Sequence, residues 1–125
     1  TKLTKLKQNM IIKLTEKDGI KIARFASLSR FTLAITEDVK SELKPELIDS
    51  GIKMILDLEG IEFIDSSGIG CIISLVKTAK SNGSAIKLCN LSKEVKEVFD
   101  LLHLQMILEI CSDQNNCIEN FKKLN

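Results

Sequence analysis

The sequence predicts an α/β fold with a mixed, mostly parallel sheet of about five strands and about four helices. Two observations support this fold class. The chain opens with two apolar segments joined by the dipeptide Asp18-Gly19, which is typical of a tight antiparallel hairpin. Beyond the hairpin, short apolar segments alternate with helical patterns in the order β-β-α-β-α-β-α-β-α. Such alternation favours parallel strands joined by right-handed crossovers.

The first half of the chain contains the hairpin, one helix and a central strand. The hairpin is predicted over residues 10–27, followed by a polar loop over residues 27–32. A helix is expected from Thr36, which can cap it, and Pro45 should kink this helix or start a separate turn. Residues 52–58 are apolar at almost every position, as in a strand covered on both faces.

The second half of the chain alternates helices with two further strands. Phe63 and Ile64 should return the chain to the core, and the helix after Gly68 should end at Ser81-Asn82-Gly83, a standard C-terminal signal. The remaining elements are a strand over residues 85–90, a helix capped by Ser92, a strand over residues 106–111 and a helix over residues 113–124.

Length, charge and cysteine spacing narrow the class of protein. A chain of 125 residues suits one domain, which we assign to residues 10–125 after a basic N-terminal extension, residues 1–9, whose expected state is frayed. The formal net charge of +1 and the lack of Trp and Tyr argue against nucleic acid as a partner. The segment 1–9 lacks the apolar core of a signal peptide, and no apolar run approaches the ~20 residues of a membrane span. We therefore expect a cytoplasmic domain without membrane insertion.

The side chains that chemistry needs are sparse. The four cysteines at positions 71, 89, 111 and 117 form no Cys-x-x-Cys pair, so we expect reduced thiols and no metal site. The single histidine, His103, is placed in a helix and has no nucleophile frame around it. No phosphate-binding Gly-x-x-x-x-Gly-Lys motif occurs. The sequence therefore predicts a protein that is not an enzyme and has no cofactor.

The stretch Ile64-Asp65-Ser66-Ser67-Gly68-Ile69-Gly70 lies where a strand passes into a helix. Helix N-termini carry unpaired N–H groups that favour anions. Asp65, Ser66 or Ser67 can cap the helix. A serine here can also accept a phosphate, which would bring nearly two negative charges to a site that favours them. The residues alone leave capping and modification both open.

Several motifs together resemble a STAS domain, and within that family the bacterial anti-sigma factor antagonists. They are Asp57-Leu58, the stretch Phe63 to Gly70, Ser81-Asn82-Gly83, and Asn90-Leu91 followed by Val95, Phe99, Leu102 and Leu104. The resemblance covers about residues 10 to 123 and is firmest over residues 52–110. It implies a regulatory binding protein that takes part in partner switching and transcription regulation.

The resemblance also implies a modification site. In the family, the serine directly after the aspartate of the turn is phosphorylated by an anti-sigma factor serine kinase, which here indicates Ser66 rather than Ser67. The unmodified protein would bind the kinase and free a sigma factor, and a PP2C-type serine phosphatase would reverse the modification. Asp65, Ser67, Gly68 and Ile69 would support the turn and the partner surface.

Arg30 departs from the family pattern. Many antagonists carry an acidic residue in the loop after the second strand, and this chain has Arg30 there. The change implies a kinase with altered charge complementarity or a different partner, and Arg30 can also pair with phosphoserine within the chain or remain solvated. The alternative function is a STAS scaffold or accessory subunit, in a stressosome-like assembly or beside a transporter. The wide apolar face at Cys71 and Leu75 would then be a permanent interface, although packing inside the domain explains it at least as well.

Overall fold

The computed structural model describes residues 11–123. Within this range the chain forms seven strands and four α-helices. In order these are β1 (Ile12–Lys17), β2 (Ile20–Phe25), β3 (Arg30–Phe31), α1 (Leu33–Leu43), β4 (Lys53–Asp57), β5 (Phe63–Ile64), α2 (Ser66–Ser81), β6 (Ala85–Cys89), α3 (Lys93–Leu101), β7 (Glu109–Cys111) and α4 (Gln114–Lys123), with 3₁₀ helices at Lys44–Leu47 and Leu104–Met106. The predicted N-terminal extension, residues 1–9, lies outside the described residues, as do Met10 and Leu124.

Five strands form the main sheet in the order β1-β2-β4-β6-β7. β1 and β2 are antiparallel, and both residues of their turn have positive φ, 55° at Asp18 and 77° at Gly19, as a tight Asp-Gly hairpin requires. The other three neighbouring pairs are parallel. The predicted fold class, with its opening hairpin and mostly parallel sheet, is confirmed.

Both faces of the sheet are covered by apolar side chains. In β4, Met54 and Leu56 belong to the larger apolar cluster and Ile55 to the smaller one, because successive strand residues point to opposite faces. Helices α1, α2 and α3 contribute to the larger cluster, and α4 contributes to the smaller one, with Phe121 fully buried. β4 is therefore the doubly covered strand that its apolar sequence predicts.

Helix α1 begins earlier than predicted. Thr32 is the N-cap, and its Oγ1 accepts a hydrogen bond from the Ala34 N–H at 3.3 Å. Thr36, the predicted cap, is wrong for that role, since it lies inside the helix, is buried and donates to the Leu33 carbonyl. The helix gives way to a 3₁₀ helix at Pro45, as predicted, because proline has no N–H for the helical hydrogen bond.

Other helix ends follow the predicted signals. α2 ends at Ser81, and Gly83 beyond it has a φ of 74°, which favours glycine. α3 is capped by Ser92, whose Oγ accepts from the Val95 N–H at 3.2 Å. The prediction that His103 lies within a helix is wrong, since His103 follows α3 with a left-handed φ of 57°.

Two short segments differ from their predictions. Arg30 and Phe31, predicted in a loop, form β3 and pair in parallel with Phe63 and Ile64 of β5. A two-residue strand shows no alternation in sequence, so only the tertiary pairing reveals it. The last strand is three residues long, and a 3₁₀ helix occupies the start of the predicted segment 106–111.

The wide apolar face of α2 packs inside the domain. Cys71 and Leu75 are both buried in the larger cluster, so the permanent interface considered for them is wrong. The four cysteines are free thiols, and Cys111 is the half-exposed one among them. Over residues 11–123, no helix is both long and apolar enough to cross a membrane.

Candidate functional site

The turn before α2 is fixed by Asp65. Its backbone N–H donates to the Phe31 carbonyl at 3.2 Å, which ties the turn to β3. Its own backbone is extended, with φ −101° and ψ −179°, and its Oδ1 accepts from the Gly68 N–H at 2.8 Å. Asp65 is therefore the N-cap of α2, which leaves the two serine hydroxyls free of that role.

The second carboxylate oxygen of Asp65 reaches another helix. Oδ2 accepts from the backbone N–H of Leu33, the first residue of α1, at 3.1 Å. One carboxylate thus satisfies N–H groups at two helix N-termini, whose partial positive charges converge there. These hydrogen bonds, that from Gly68 foremost, hold the pKa of Asp65 below its ordinary value.

Gly68 lets β3 lie against the first turn of α2. A Cβ at this position would overlap the Phe31 carbonyl oxygen and lie 2.7 Å from Ile64 Cγ1. The glycine is required by this close approach of backbone. Ile69, the next residue, is also buried. Both residues therefore support the turn from inside, and of the predicted turn residues the serines face outward.

Ser66 is the first residue of α2, and its side chain is exposed, while Ser67 is half-buried. The side-chain hydrogen bonds of the turn within residues 11–123 are those of Asp65 and Thr32, and neither serine hydroxyl takes part in them. A hydroxyl that is exposed, unbonded and at a helix N-terminus can accept a phosphate without disturbing the fold. Ser66 meets these conditions better than Ser67.

Two exposed apolar side chains lie on the elements that adjoin the turn, and sequence reasoning missed them. Phe63 was predicted in the core but is 44% exposed, because Ile64 points inward and adjacent strand residues point to opposite faces. Leu33 is 70% exposed at the start of α1. No local signal would have found the first of them, because Phe63 and Ile64 are both apolar and only the pairing of β5 with β3 fixes which of the two faces outward. The earlier start of α1 explains the omission of the second.

Arg30 lies in β3 directly opposite Phe63 in β5. Phe63 precedes Ser66 by three residues. Its guanidinium carbon is 4.3 Å from the centroid of the Phe63 ring, which is a cation–π contact. The side chain is exposed, and the contact places its charge over the ring. Arg30 and Phe63 therefore form one surface unit beside the turn.

Asp57, at the same end of the sheet, serves the fold. It is almost fully buried, and its Oδ1 accepts from Glu59 N–H at 2.9 Å and from Asn90 Nδ2 at 3.1 Å. Its Oδ2 accepts from Gln114 Nε2 at 2.6 Å. These bonds join β4 to α4 and occupy both oxygens. In the part of the chain that the structure describes, no group of three His, Cys, Asp or Glu side chains is placed to hold a metal ion.

Comparison with known proteins agrees with this geometry. The family model described as the STAS domain matches residues 11–117. The chain belongs to the STAS domain family. Its relatives include the anti-sigma-B factor antagonist of Bacillus subtilis, which is 27% identical over 81 residues, covering 65% of this chain and 73% of that protein. The resemblance to anti-sigma factor antagonists is thereby confirmed.

Solved structures share the fold. An anti-sigma-factor antagonist (STAS) domain protein from Planctomyces limnophilus has a TM-score of 0.76 at 23% identity, covering 83% of this chain and 92% of that one. SpoIIAA is an anti-sigma factor antagonist solved in unphosphorylated and phosphorylated forms. The two forms give TM-scores of 0.72 and 0.63 at 17% and 16% identity. They cover 90% and 91% of this chain, and 96% and 99% of their own.

Proposed function

We propose that this chain is an anti-sigma factor antagonist that is switched by phosphorylation of Ser66. In the unmodified state it binds an anti-sigma factor serine kinase in the cytoplasm and thereby frees a sigma factor. The observation that carries the proposal is the exposed, unbonded Ser66 hydroxyl at the N-terminus of α2. The antagonist relatives and the solved phosphorylated form of SpoIIAA support it.

The surroundings of Ser66 explain the direction of the switch. Phe63 and Leu33 offer exposed apolar surface to a partner. A phosphate inside such a docked interface would lose its hydration and lie against the apolar surface of the partner, so binding would weaken. In the free protein, the N-terminus of α2 and bulk water both accept the new charge. Phosphorylation therefore favours the dissociated state.

Ser66 is a substrate in this scheme. Its Oγ attacks the γ-phosphorus of ATP in the kinase, the bond from that phosphorus to the ADP oxygen breaks, and the serine proton passes to a base of the kinase. A PP2C-type serine phosphatase later hydrolyses the phosphoester with water and restores the hydroxyl. The chain supplies no catalytic group to either step.

Arg30 contributes to partner choice in this proposal. Its charge, held over the Phe63 ring, presents a positive group next to exposed apolar surface. Such a surface suits a kinase that carries an acidic side chain at the facing position. Arg30→Glu should therefore weaken kinase binding, and the loss should be greatest at low ionic strength because salt screens exposed charges.

The test incubates the purified chain with an anti-sigma factor serine kinase from the same genome and ATP. We expect one phosphate, located at Ser66 by peptide mass spectrometry. Ser66→Ala should accept none, while the matched Ser67→Ala should be modified like the wild type. Phosphate at another residue, or kinase binding by Ser66→Asp as tight as that of the wild type, would contradict the proposal.

The alternative, a STAS scaffold or transporter-associated subunit, predicts different behaviour in solution. It requires a stable large assembly in size-exclusion chromatography, with Ser66 unmodified in the presence of the kinase. The burial of Cys71 and Leu75 removes the apolar face on which that alternative depended. The antagonist proposal is therefore the stronger of the two.

A further inference from the structure

The largest run of exposed apolar side chains in the described residues lies around the end of α3. Leu101, Leu102, Met106 and Ile107 are 78%, 52%, 80% and 55% exposed, and they make up four of the eight large exposed apolar residues in the described chain. They fall within seven consecutive residues at the end of α3 and the 3₁₀ helix that follows it. Exposed apolar residues gathered in this way mark interaction sites more often than isolated ones do.

The segment that carries these residues is well ordered by its own contacts. Leu104 and Leu108 are buried and anchor it to the core. Backbone hydrogen bonds join the Ile107 and Leu108 N–H groups to the Leu104 carbonyl at 3.0 and 2.9 Å. The exposed side chains are therefore displayed by a fixed turn.

A groove separates this turn from the C-terminal half of α2. We call it the Ile107 groove; it has a volume of about 490 Å³ and is lined by Ile73, Val76, Lys77, Lys80, Ile107 and Leu108. Its floor is apolar, and Lys77 and Lys80 stand three residues apart on one side of α2. Neither lysine takes part in an ion pair within residues 11–123.

The Ile107 groove lies at the opposite end of α2 from the phosphorylation candidate. Lys77 and Lys80 follow Ser66 by 11 and 14 residues, which is about 16 and 21 Å along a helix at 1.5 Å per residue. That separation exceeds the Debye length of about 8 Å at physiological ionic strength. A charge added at Ser66 would be screened before it reached the groove. Electrostatic coupling between Ser66 and the two lysines is therefore weak.

We propose that the Ile107 groove binds an amphipathic helix of a partner protein whose apolar stripe is flanked by acidic residues. An apolar stripe would pack against Ile107 and the floor, as helices do in hydrophobic grooves. Acidic side chains beside the stripe would pair with Lys77 and Lys80, which have no ionic partner in the described chain.

The charge and the shape of the groove favour an acidic helix over a second copy of the chain or a membrane surface. A second copy of the chain, joined by a two-fold axis through the groove, would bring the same two lysines towards each other. A membrane surface is flat and would leave a concave groove unfilled. An acidic helix encounters neither difficulty.

The experiment uses the full chain and two synthetic helical peptides with the same leucine stripe. One peptide has the stripe flanked by glutamates, and the other by lysines. We expect the glutamate peptide to bind about tenfold more tightly at low salt, since two rim pairs change from attractive to repulsive. NMR shift changes should map to the lining residues of the Ile107 groove. Ser66→Asp should leave the affinity unchanged.

Variants provide the controls. Ile107→Asp should weaken binding of the glutamate peptide about tenfold, because it places a charge on the apolar floor. Lys77→Glu with Lys80→Glu should reverse the preference between the peptides. Ile48→Asp is the matched control, since Ile48 is an exposed isoleucine that does not line the groove. It should bind like the wild type.

Four results would overturn the proposal. Equal binding of both peptides, or binding of neither, would remove the charge argument. Shift changes that map outside the groove would remove the site. Concentration-dependent dimerisation abolished by Ile107→Asp would assign the groove to a second copy. Flotation with phosphatidylserine vesicles, again abolished by Ile107→Asp, would assign it to a membrane. Each result is independent of whether Ser66 is phosphorylated.

Discussion

Gly68→Ala should destabilise the domain, and Gly70→Ala in the same helix should stabilise it. At Gly68, a Cβ would overlap the Phe31 carbonyl, which is backbone held by the pairing of β3 with β5. Overpacking of this kind costs about 1–3 kcal/mol, and the helix propensity of alanine offsets up to about 1 kcal/mol of it. At Gly70 no atom beyond the adjoining backbone of its own helix lies within 4 Å of the added Cβ, so only the gain of about 0.5–1 kcal/mol remains.

Urea unfolding of the three proteins provides the measurement. The two variants should differ by about 2 kcal/mol, which corresponds to about 1 M in the urea midpoint for a slope near 2 kcal/mol/M. Both variants carry the same added methyl group on the same helix, so propensity and surface effects largely cancel. A Gly68→Ala protein as stable as Gly70→Ala would show that β3 moves aside freely. The turn would then be less rigid than its hydrogen bonds indicate.

Three further results follow from the titratable groups. Hydrogen bonds lower the pKa of Asp65, so the ionised side chain stabilises the fold fully at a pH above the ordinary pKa of an aspartate. This stabilisation is lost as the pH falls through the lower pKa of the folded state. Asp65→Asn should therefore make the urea midpoint depend less on pH below about pH 4. Burial raises the pKa of Glu42, so the ionised side chain destabilises the folded state at neutral pH. Glu42→Gln should therefore raise the urea midpoint at neutral pH. The difference from the wild type should disappear as the pH falls through the raised pKa, because Glu42 is then protonated. Burial raises the pKa of Cys71 to about 11, so a thiol reagent near pH 8 should label the half-exposed Cys111 first and reach Cys71 only on unfolding; mass spectrometry of partially labelled protein gives the order.

Long patterned segments made the fold predictable from the sequence. The apolar run of β4, the Asp18-Gly19 turn and the cap at Ser92 each have a local cause, so their sequence signals are sufficient. β3 and β5 have no such cause. They are two residues each, and they exist because Arg30 and Phe31 lie beside Phe63 and Ile64 after the chain has folded.

The site was predictable in its residue types and less so in its surface. An aspartate and two serines before a helix indicate a capped N-terminus, and Asp65 does cap it. That its other oxygen also binds α1 depends on tertiary packing, which no local pattern encodes. The exposure of Phe63 and Leu33 has the same origin, since both positions are set by the pairing of β3 with β5 and the start of α1.

The geometry of the turn finally separates two ways in which phosphorylation can release a partner. If the modified turn unfolded, Ser66→Asp should destabilise the domain. Among the hydrogen bonds of the turn within residues 11–123, none involves the Ser66 side chain. A negative charge at the first position of a helix stabilises the helix by about 0.3–1 kcal/mol, and repulsion from Asp65 partly offsets this gain. We therefore expect the urea midpoint of Ser66→Asp to match that of the wild type closely. The affinity for the kinase should fall at least tenfold, which corresponds to a loss of ~1.4 kcal/mol in binding free energy. Ser67→Asp, one residue further on and half-buried, is the control for charge at this helix end. A large fall in the stability of Ser66→Asp would mean that the switch acts by loosening the turn, and unchanged stability with lost binding would assign it to charge in the interface.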